Sequence, residues 1–397
     1  MKYLFILGRN IELSIAEIIS YLENNNYLKR AIFSTTKTSE KQNKFSEKES
    51  NQISKYTVNN NSILIEVERK IEENAIDKFG GVIAIGEVIS SGDISKILDE
   101  LEKRELYYGV KNKFNYVLWD FSDRTADISN YLKRRFKSEK LKATEKKLTG
   151  SIKLQTGKQV QNISSSLIDE EYFLFNDSKI NNQYFGKIIQ NCDYEKIEKR
   201  DMHKPVRREA LSISPRLAKI MINLSQVKSE GILVDPFCGI GVVLQEALIH
   251  GVKVIGIDKD AQAISGAEMN LKWMGFSKKN YQLINGDSRI VSINQSDVIV
   301  TEPDLGELLT KIPTKEKAER MIREFEKLMV EVLNNLKNKI SGRIVFTAPL
   351  IKIEKRRVSC SIDNILNKTG LKLVKGFPIP EFREEQIVGR NIFVLEH

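Results

Sequence analysis

From about residue 205 onward, segments of strand character alternate with segments of helical periodicity, and this alternation restricts the fold of the 397-residue chain more than any other feature. Ser214 and Pro215 supply an N-cap and a first-turn proline for the opening helix. The pattern then predicts strands at 232–234, 253–257, 281–284, 298–301, 343–347, 371–375 and 391–395, and helices at 242–249, 261–273, 315–336 and 362–367. Strands and helices that alternate over short connections predict an α/β fold with a doubly wound, mostly parallel sheet.

The ligand of such a sheet lies outside the carboxyl ends of its strands, and four predicted strands end in residues that suit one. The first strand leads into a loop with Gly239 and Gly241 directly before a helix, where backbone N–H groups are open to a carboxylate. Asp258 ends the second strand, at the distance from the glycine loop that suits an acid binding ribose hydroxyls. Asp287 ends the third strand, where it can accept a hydrogen bond from an adenine amine, and Glu302 follows the fourth.

Each of these features has a structural interpretation when taken alone. A glycine pair after a strand is a weak signal, Asp258 can be a helix cap, and Asp287 with Ser288 can form a turn. Four such features in order, each at a strand end, favour a nucleotide-like ligand.

The first half of the chain has a mixed α+β pattern. Predicted strands lie at 3–7, 63–67, 82–89, 115–120, 172–175 and 183–189, and predicted helices lie at 14–21, at 94–106 and from 128 onward. Ser14 and Glu17 have the spacing of a capping box that opens the first helix. Residues 34–61 are almost all Lys, Glu, Ser, Thr, Asn and Gln, which predicts a flexible surface excursion.

Most of the net charge of +10 lies in one segment. Between Lys133 and Lys158 there are ten Lys or Arg residues against two acids. Such a stripe suits a polyanion such as nucleic acid, and the alternative is a solvated helix face. The candidate RNA-binding residues are Lys133, Arg134, Arg135, Lys137, Lys140, Lys142, Lys146 and Lys147.

Cysteine and histidine usage argues against several classes of protein. The three cysteines are widely separated and make neither a disulfide framework nor a zinc-ligand spacing, and three histidines are too few for chemistry built on histidine clusters. No apolar stretch approaches the ~18–20 residues that span a bilayer, and the start is not interpreted as a signal peptide. We therefore expect a cytoplasmic protein without a structural metal.

The motifs at the strand ends resemble those of a known family. In chain order, the segments DPFCGIG (235–241), GID (256–258), GD (286–287) and EPDLG (302–306) resemble motifs of class I S-adenosylmethionine-dependent methyltransferases, in the branch that methylates exocyclic amines. Arg200-Asp201, Lys204-Pro205, Arg207-Arg208, the segment 214–218 and Asn223-Leu224 resemble the entry to the catalytic domain of THUMP-containing tRNA guanine-N2 methyltransferases of the guanosine-10 type. The N-terminal segments YLFILGR, ELSIAEI and KFGGVIAIGEV are similar to the ferredoxin-like and THUMP regions of that family.

The resemblance implies a fold, a cofactor and a substrate. It implies a Rossmann-like methyltransferase domain at 206–397, a linker at 191–205, and an RNA-binding ferredoxin-like and THUMP region at 1–190. S-adenosylmethionine is the implied cofactor and tRNA the implied partner, and a small activating protein subunit is left open. The implied cofactor-binding residues are Asp235, Pro236, Phe237, Cys238, Gly239, Gly241, Asp258, Lys259, Asp287 and Ser288, and the implied catalytic residues are Glu302, Pro303, Asp304 and Leu305.

The fourth motif departs from the Asp/Asn-Pro-Pro-Tyr/Phe pattern of that family. Glu302 keeps the carboxylate on a longer stem, Asp304 adds a second one, and Leu305 stands where an aromatic residue stacks on the base. Either Asp304 supplies the acceptor, or an aromatic from elsewhere (Phe237 or Phe382) stacks, or the chemistry is weakened or lost.

Alternatives of other classes therefore stay open. One is a tRNA-binding protein with a degenerate, inactive site, and another is an rRNA or DNA amino-methyltransferase. A dinucleotide oxidoreductase is disfavoured because no third glycine follows Gly241 at the fingerprint spacing.

Overall fold

The computed structural model describes residues 1–28, 56–59, 61–146, 151–153, 159–161, 168–208, 213–306 and 309–397. The chain divides into two compact units. The first unit comprises Met1–Gly8, Ser34–Ile76 and Val82–Cys192, and the second comprises Arg9–Phe33, Asp77–Gly81 and Asp193–His397. Two N-terminal segments thus belong to the second unit, whereas the predicted domains at 1–190 and 206–397 are continuous. No helix in the described part of the chain has the length and apolarity to cross a membrane.

The elements that begin before residue 193 form the first unit, except for α1. In chain order they are β1 (Lys2–Leu7), α1 (Ile11–Asn24), β2 (Tyr56–Asn59), β3 (Ser62–Glu66), β4 (Val82–Gly92), α2 (Ile94–Glu102), β5 (Lys113–Phe121), α3 (Thr125–Ser138), β6 (Lys142–Glu145), β7 (Ser151–Lys153), β8 (Gln159–Gln161), β9 (Glu170–Asp177) and β10 (Asn182–Asn191). Eight strands form one sheet in the order β2-β3-β1-β4-β10-β9-β5-β6, and β7 pairs with β8.

The remaining elements belong to the second unit. They are α4 (Tyr194–Met202), α5 (Pro215–Ser225), β11 (Ile232–Asp235), α6 (Val242–Ile249), β12 (Lys253–Asp258), α7 (Ala261–Trp273), β13 (Tyr281–Asn285), β14 (Val298–Thr301), α8 (Lys315–Leu336), β15 (Ile344–Ile353), β16 (Arg356–Ser359), α9 (Ile362–Thr369), β17 (Lys372–Leu373), β18 (Ile379–Glu381) and β19 (Val388–Glu396).

The sheet of the second unit is doubly wound. Its order is β13-β12-β11-β14-β15-β19-β17, with β16 on β15 and β18 on β19. Strands β11 to β15 pair in parallel, and β19 is antiparallel to β15. The chain winds from β11 toward β13 and then returns to β14 on the other side of β11. The strand order therefore reverses between β11 and β14, which is where such sheets bind their ligands.

Two apolar layers cover this sheet. On one side, α5 and α6 pack in a cluster that includes Met221, Leu244 and Leu13 of α1. On the other side, α8 and α9 pack in a cluster that includes Phe325 and Ile365. Parallel strands buried on both faces are expected to be near-continuous apolar runs, and the burial of β11 and β14 agrees with this. The predicted Rossmann-like fold class is confirmed, and the THUMP assignment of the first unit stays a prediction.

Several predicted elements differ from the structure. The helix predicted at 94–106 ends at Glu102, and the strand predicted at 371–375 is reduced to Lys372–Leu373. The predicted linker at 191–205 contains α4, and β16 and β18 were not predicted. Of the predicted flexible segment at 34–61, residues 34–55 and 60 lie outside the described residues, whereas residues 56–59 form strand β2, which pairs with β3.

The predicted capping box of Ser14 and Glu17 is wrong. Helix α1 begins at Ile11, and its N-cap is Asn10, whose side chain accepts a hydrogen bond from the Leu13 N–H. Ser14 lies inside the helix and donates its hydroxyl to the Asn10 carbonyl. The chain could use either residue as a cap, because both side chains carry a suitable acceptor, and Asn10 comes first.

Glu17 instead becomes a buried anchor within the second unit. Its carboxylate accepts hydrogen bonds from the N–H groups of Gly80 and Gly81, both at 2.7 Å, and from Asn223 Nδ2 at 2.9 Å. Burial raises the pKa of Glu17 to about 7, against the lowering effect of these donors. One side chain thus joins α1, the 77–81 segment and α5, which explains why these segments share a unit.

We predict that Glu17→Ala lowers the free energy of unfolding of the second unit by about 2–5 kcal/mol, because it leaves buried donors without an acceptor. Urea unfolding can be followed by tryptophan fluorescence in a Trp119→Phe background, where Trp273 of α7 is the remaining tryptophan. The matched control is Glu12→Ala in the first turn of the same helix, expected to cost less than about 1 kcal/mol. Equal effects of both substitutions would contradict the anchoring role.

Candidate functional site

Asp235 lies at the point where the strand order reverses. It is the last residue of β11, and it is 1 % exposed. Its Oδ1 accepts hydrogen bonds from Thr301 Oγ1 at 2.6 Å and from the Phe237 N–H at 3.1 Å. Thr301 is the last residue of β14. The buried carboxyl therefore joins the ends of the two central strands to the loop that follows β11.

That loop leads into α6 through two residues with positive φ. Cys238 donates its N–H to the Ile257 carbonyl of β12 at 3.0 Å, and Gly241 donates to the Cys238 carbonyl at 2.8 Å. Gly239 and Gly241 have φ of +51° and +84°. A Cβ on Gly239 would meet nothing within 4 Å, so there is space for a ligand beside this residue. Burial raises the pKa of the Cys238 thiol, and the side chain packs in the core as an ordinary apolar residue.

Asp258 ends β12 beside this loop. One carboxylate oxygen accepts the Gly239 N–H at 2.9 Å, and the other accepts the Asp260 N–H at 2.9 Å. A carboxylate has about four acceptor positions, so two are left for hydroxyl groups of a ligand. Lys259 follows and is exposed. Asp260, not Asp258, is the N-cap of α7, so the helix-cap interpretation of Asp258 is wrong.

The third strand end is joined to the first. Ser288 Oγ donates to the Pro236 carbonyl at 2.5 Å, and Ser288 is buried. Asp287 is more exposed, and the Arg289 guanidinium binds both of its oxygens. Hydrogen bonding by Arg289 lowers the pKa of Asp287 to about 2. A ligand amine that binds Asp287 therefore competes with Arg289 for the carboxylate.

The fourth motif presents one sheltered carboxylate and one exposed one. The Glu302 side chain is 9 % exposed, and its Oε1 accepts a hydrogen bond from Arg390 Nε. Pro303 is buried and Leu305 is half-buried against the core on the α8 side. Asp304 is exposed, and its Oδ1 accepts the Gly306 N–H at 2.9 Å. The two acids that the sequence left as alternatives thus stand in different surroundings.

The geometry fits the expected cofactor. Free space beside Gly239, the N-terminus of α6 and the Asp258 carboxylate with two unused acceptor positions lie at adjacent strand ends. The helix N-terminus suits the carboxylate of S-adenosylmethionine, and Asp258 suits its ribose hydroxyls. The candidates from Asp235 to Ser288 thus lie on three neighbouring strand ends, and their individual roles stay predictions.

The candidate RNA-binding residues, in the first unit, fall into two groups. Arg135 is 15 % exposed and forms ion pairs with Glu102 and Glu139, and Lys133 pairs with Glu145 at 2.9 Å. The others are exposed and form no ion pair within the described part of the chain: Arg134, Lys137, Lys140, Lys142 and Lys146. Lys147 lies outside the described residues. The second group is the one available to a polyanion.

Sequence reasoning missed three residues of this site. Thr301 was assigned only as the end of a strand, although a hydroxyl after an apolar run is a usable signal. Arg289 follows Asp287 by two residues, so a local pair could have been anticipated. Arg390 carries no signal, since it is 88 residues from Glu302 and the two meet only in the folded sheet.

Asp235 gives a testable pH dependence. Burial raises its pKa to about 7, whereas an unfolded aspartate titrates near 3.9. Between these values the folded state holds a proton that the unfolded state has lost, so stability falls as pH rises from about 4 to about 7. Asp235→Asn mimics the protonated side chain and can still accept from Thr301. We therefore predict that the free energy of unfolding of Asp235→Asn, relative to that of wild type, increases by up to about 4 kcal/mol as the pH rises over this range.

The measurement is urea unfolding of both proteins at pH 4.5 and pH 7.5. Since Glu17 titrates in the same range, the quantity compared is the difference between variant and wild type at each pH. A difference that is the same at both pH values would contradict the assignment.

Known proteins match this chain in the sequence of one domain and in the fold. Residues 204–349 match the RMKL-like methyltransferase domain of the UPF0020 family. The structure is similar to that of TrmN from Thermus thermophilus, with a TM-score of 0.51 at 12 % identity over 100 % of this chain and 99 % of that one. A likeness at this identity concerns the fold.

Sequence relatives carry the family assignment. The chain is 29 % identical to a tRNA (guanine(10)-N2)-dimethyltransferase of Methanothermobacter thermautotrophicus over 60 % of this chain and 74 % of that protein. It is 32 % identical to a protein of Methanothermococcus thermolithotrophicus named probable tRNA (guanine(10)-N2)-dimethyltransferase, over 34 % of this chain and 79 % of the relative. A tRNA (guanine(10)-N(2))-methyltransferase of Saccharomyces cerevisiae is 34 % identical over 22 % of this chain and 21 % of that protein. The resemblance noted in the sequence is confirmed: the chain belongs to the tRNA (guanine(10)-N2)-methyltransferase family.

Proposed function

We propose that this protein transfers a methyl group from S-adenosylmethionine to the exocyclic N2 amine of a guanosine in tRNA. The observation that carries the proposal is the sheltered carboxylate of Glu302. Glu302 directly follows Thr301, the last residue of β14, which binds Asp235. This carboxylate lies at the same edge of the sheet as the cofactor candidates, where it would accept a hydrogen bond from the substrate amine.

The acceptor is needed because the guanine amine is a poor nucleophile, its lone pair being delocalised into the ring. A carboxylate oxygen that accepts an amine N–H increases the electron density on nitrogen, and it does so more strongly when water is excluded. S-adenosylmethionine would supply an activated methyl group on its sulfonium: the N–CH3 bond forms as the S–CH3 bond breaks, S-adenosylhomocysteine leaves, and the amine releases one proton. The remaining acceleration comes from holding the amine in line with that methyl group.

Burial favours Glu302 over Asp304 as this acceptor. The Glu302 side chain is nearly inaccessible, whereas Asp304 is exposed and its Oδ1 is used to hold the Gly306 N–H. An exposed carboxylate is hydrated, and water competes with the amine for its oxygens. Asp304 therefore stabilises the turn after the motif, and Glu302 is the proposed acceptor of the amine N–H.

The two aromatic candidates also differ. Phe237 packs against the core on the α8 side. Phe382 follows β18, and the Arg357 guanidinium lies 4.2 Å from its ring centroid. Phe382 is half-buried, so a base would stack on the ring face that the guanidinium does not cover. Phe382 is thus the better candidate to replace the stacking residue that Leu305 lacks.

One observation favours the alternative of a tRNA-binding protein without methyl transfer. The Glu302 carboxylate is already paired with Arg390, which occupies one of its oxygens. Both functions predict binding of tRNA, so only an activity measurement separates them.

We predict that the protein incorporates labelled methyl into an unmodified tRNA transcript as N2-methylguanosine, identified by nucleoside analysis. Glu302→Ala should lower the rate at least about 100-fold with little change in the Kd for S-adenosylmethionine. Asp258→Ala should raise that Kd at least about tenfold, because two charge-assisted hydrogen bonds are removed. The matched control, Glu230→Ala, removes an acid paired with Lys253 at the opposite ends of the strands and leaves both quantities unchanged. Wild-type protein that binds tRNA without incorporation would favour the binding protein instead.

RNA binding by the first unit is tested by removing charge. We predict that Arg134→Gln, Lys137→Gln and Lys140→Gln together weaken tRNA binding and reduce the slope of log Kd against log salt concentration by about 1 for each phosphate that is no longer neutralised. The control is an equal reduction of exposed charge in the second unit, with Lys279→Gln, Lys339→Gln and Lys368→Gln. Filter binding between 50 and 200 mM salt gives the slopes. Equally weakened binding in both variants would mean that the basic segment has no special role.

A further inference from the structure

We propose that Arg390 is a positioning residue that holds the Glu302 carboxylate in the orientation needed for methyl transfer. The proposal rests on the proposed function, and it concerns a residue that no motif in the sequence singles out. Arg390 lies in β19, where it pairs with Pro349 of β15 and Glu381 of β18. Its Nε donates to Glu302 Oε1. The Arg390 side chain therefore reaches from β19 past β15 to the end of β14.

Glu302 needs a partner that fixes its orientation because its side chain is longer than that of an aspartate. A glutamate has one more rotatable bond than the aspartate of the family pattern, and its carboxylate can therefore occupy more positions. A misplacement of about 1 Å can cost about 100-fold in rate. The Nε–H of a planar guanidinium fixes both the direction and the length of the hydrogen bond that it donates. This hydrogen bond therefore limits the Glu302 carboxylate to one of these positions.

The pair leaves an oxygen for the substrate. Within the described part of the chain, Glu302 Oε2 accepts no hydrogen bond, and Oε1 is bound by Arg390 alone. One oxygen is thus held and the other can accept an amine N–H. The Arg390 side chain is 24 % exposed, so the pair is shielded from water far more than a surface ion pair.

A second interaction directs Arg390 toward Glu302. Glu381 is its neighbour across β18 and β19 and would otherwise compete for the guanidinium. The Glu381 carboxylate is instead held by Arg9 and by Asn10 Nδ2, the latter at 2.6 Å. The residues directly before α1 therefore satisfy Glu381, which leaves Arg390 to the site.

The test compares variants of the full chain with unmodified tRNA transcript and S-adenosylmethionine. Arg390→Met keeps an unbranched apolar stem that ends near the position of Nε, and it removes the charge and the hydrogen bond. We expect its kcat to fall about 30- to 100-fold, with the KM for tRNA and the Kd for S-adenosylmethionine each within about threefold of wild type. Arg390→Lys, which restores the charge, should recover part of kcat. Arg356→Met, an exposed arginine of β16, is the matched control and should keep wild-type kcat.

A double variant separates positioning from a general disruption of structure. In Glu302→Asp the shorter carboxylate no longer reaches Arg390, so adding Arg390→Met should lower kcat by less than about threefold further. Additive effects on kcat, or a rise in the Kd for S-adenosylmethionine that matches the fall in kcat, would show a merely structural role and overturn the proposal.

The remaining outcomes are also decisive. Arg390→Met with kcat equal to or above wild type would overturn the positioning role, and an increase would mean that Arg390 blocks the acceptor. If the wild-type protein transfers no methyl group to tRNA, the proposed function fails and the role of Arg390 fails with it. Wild-type activity with an unchanged Arg390→Met rate overturns the role of Arg390 alone.

Discussion

The site depends on one buried carboxyl group, that of Asp235. Its hydrogen bonds to Thr301 and to the Phe237 N–H hold the glycine loop and the end of β14 at a common edge of the sheet. Burying an acid is costly unless it is hydrogen-bonded or neutral, and the pKa of about 7 reflects that cost. Without this contact the glycine loop and the Glu302 motif would still follow neighbouring strands, but these hydrogen bonds would no longer fix their relative position.

A second set of buried contacts ties the N-terminal helix to the same unit. Glu17 joins α1 to α5 and to the 77–81 segment, and the residues before α1 hold Glu381. The residues before α1 come early in the chain, yet they contact β18, the strand in which Glu381 pairs with Arg390 of β19. The structural support of the proposed acceptor therefore extends to residues that a domain boundary near 190 would assign elsewhere.

In the proposed mechanism, the Glu302–Arg390 pair compensates for the departure of the fourth motif from the family pattern. Replacing aspartate by glutamate lengthens the side chain, and an arginine from a nearby strand restricts the longer carboxylate.

The basic segment differs from this pair in that most of its described charges are exposed and unpaired. Its available charges, such as Arg134 and Lys137, are exposed and form no ion pairs in the described residues, as expected of groups that act on a polyanion at long range.

The sequence by itself determined the architecture of the second unit and the position of its strand ends. Strand–helix periodicity and local caps located α6, α7 and α8 to the residue, because these signals act over a few neighbouring positions. Family membership followed from motifs that are contiguous in the chain. The tertiary structure alone decided which side chains meet: Glu17 with Gly80, Asp235 with Thr301, and Glu302 with Arg390. These contacts join residues 63 to 88 positions apart, and side chains so distant are brought together only by the packing of the whole sheet and its helices.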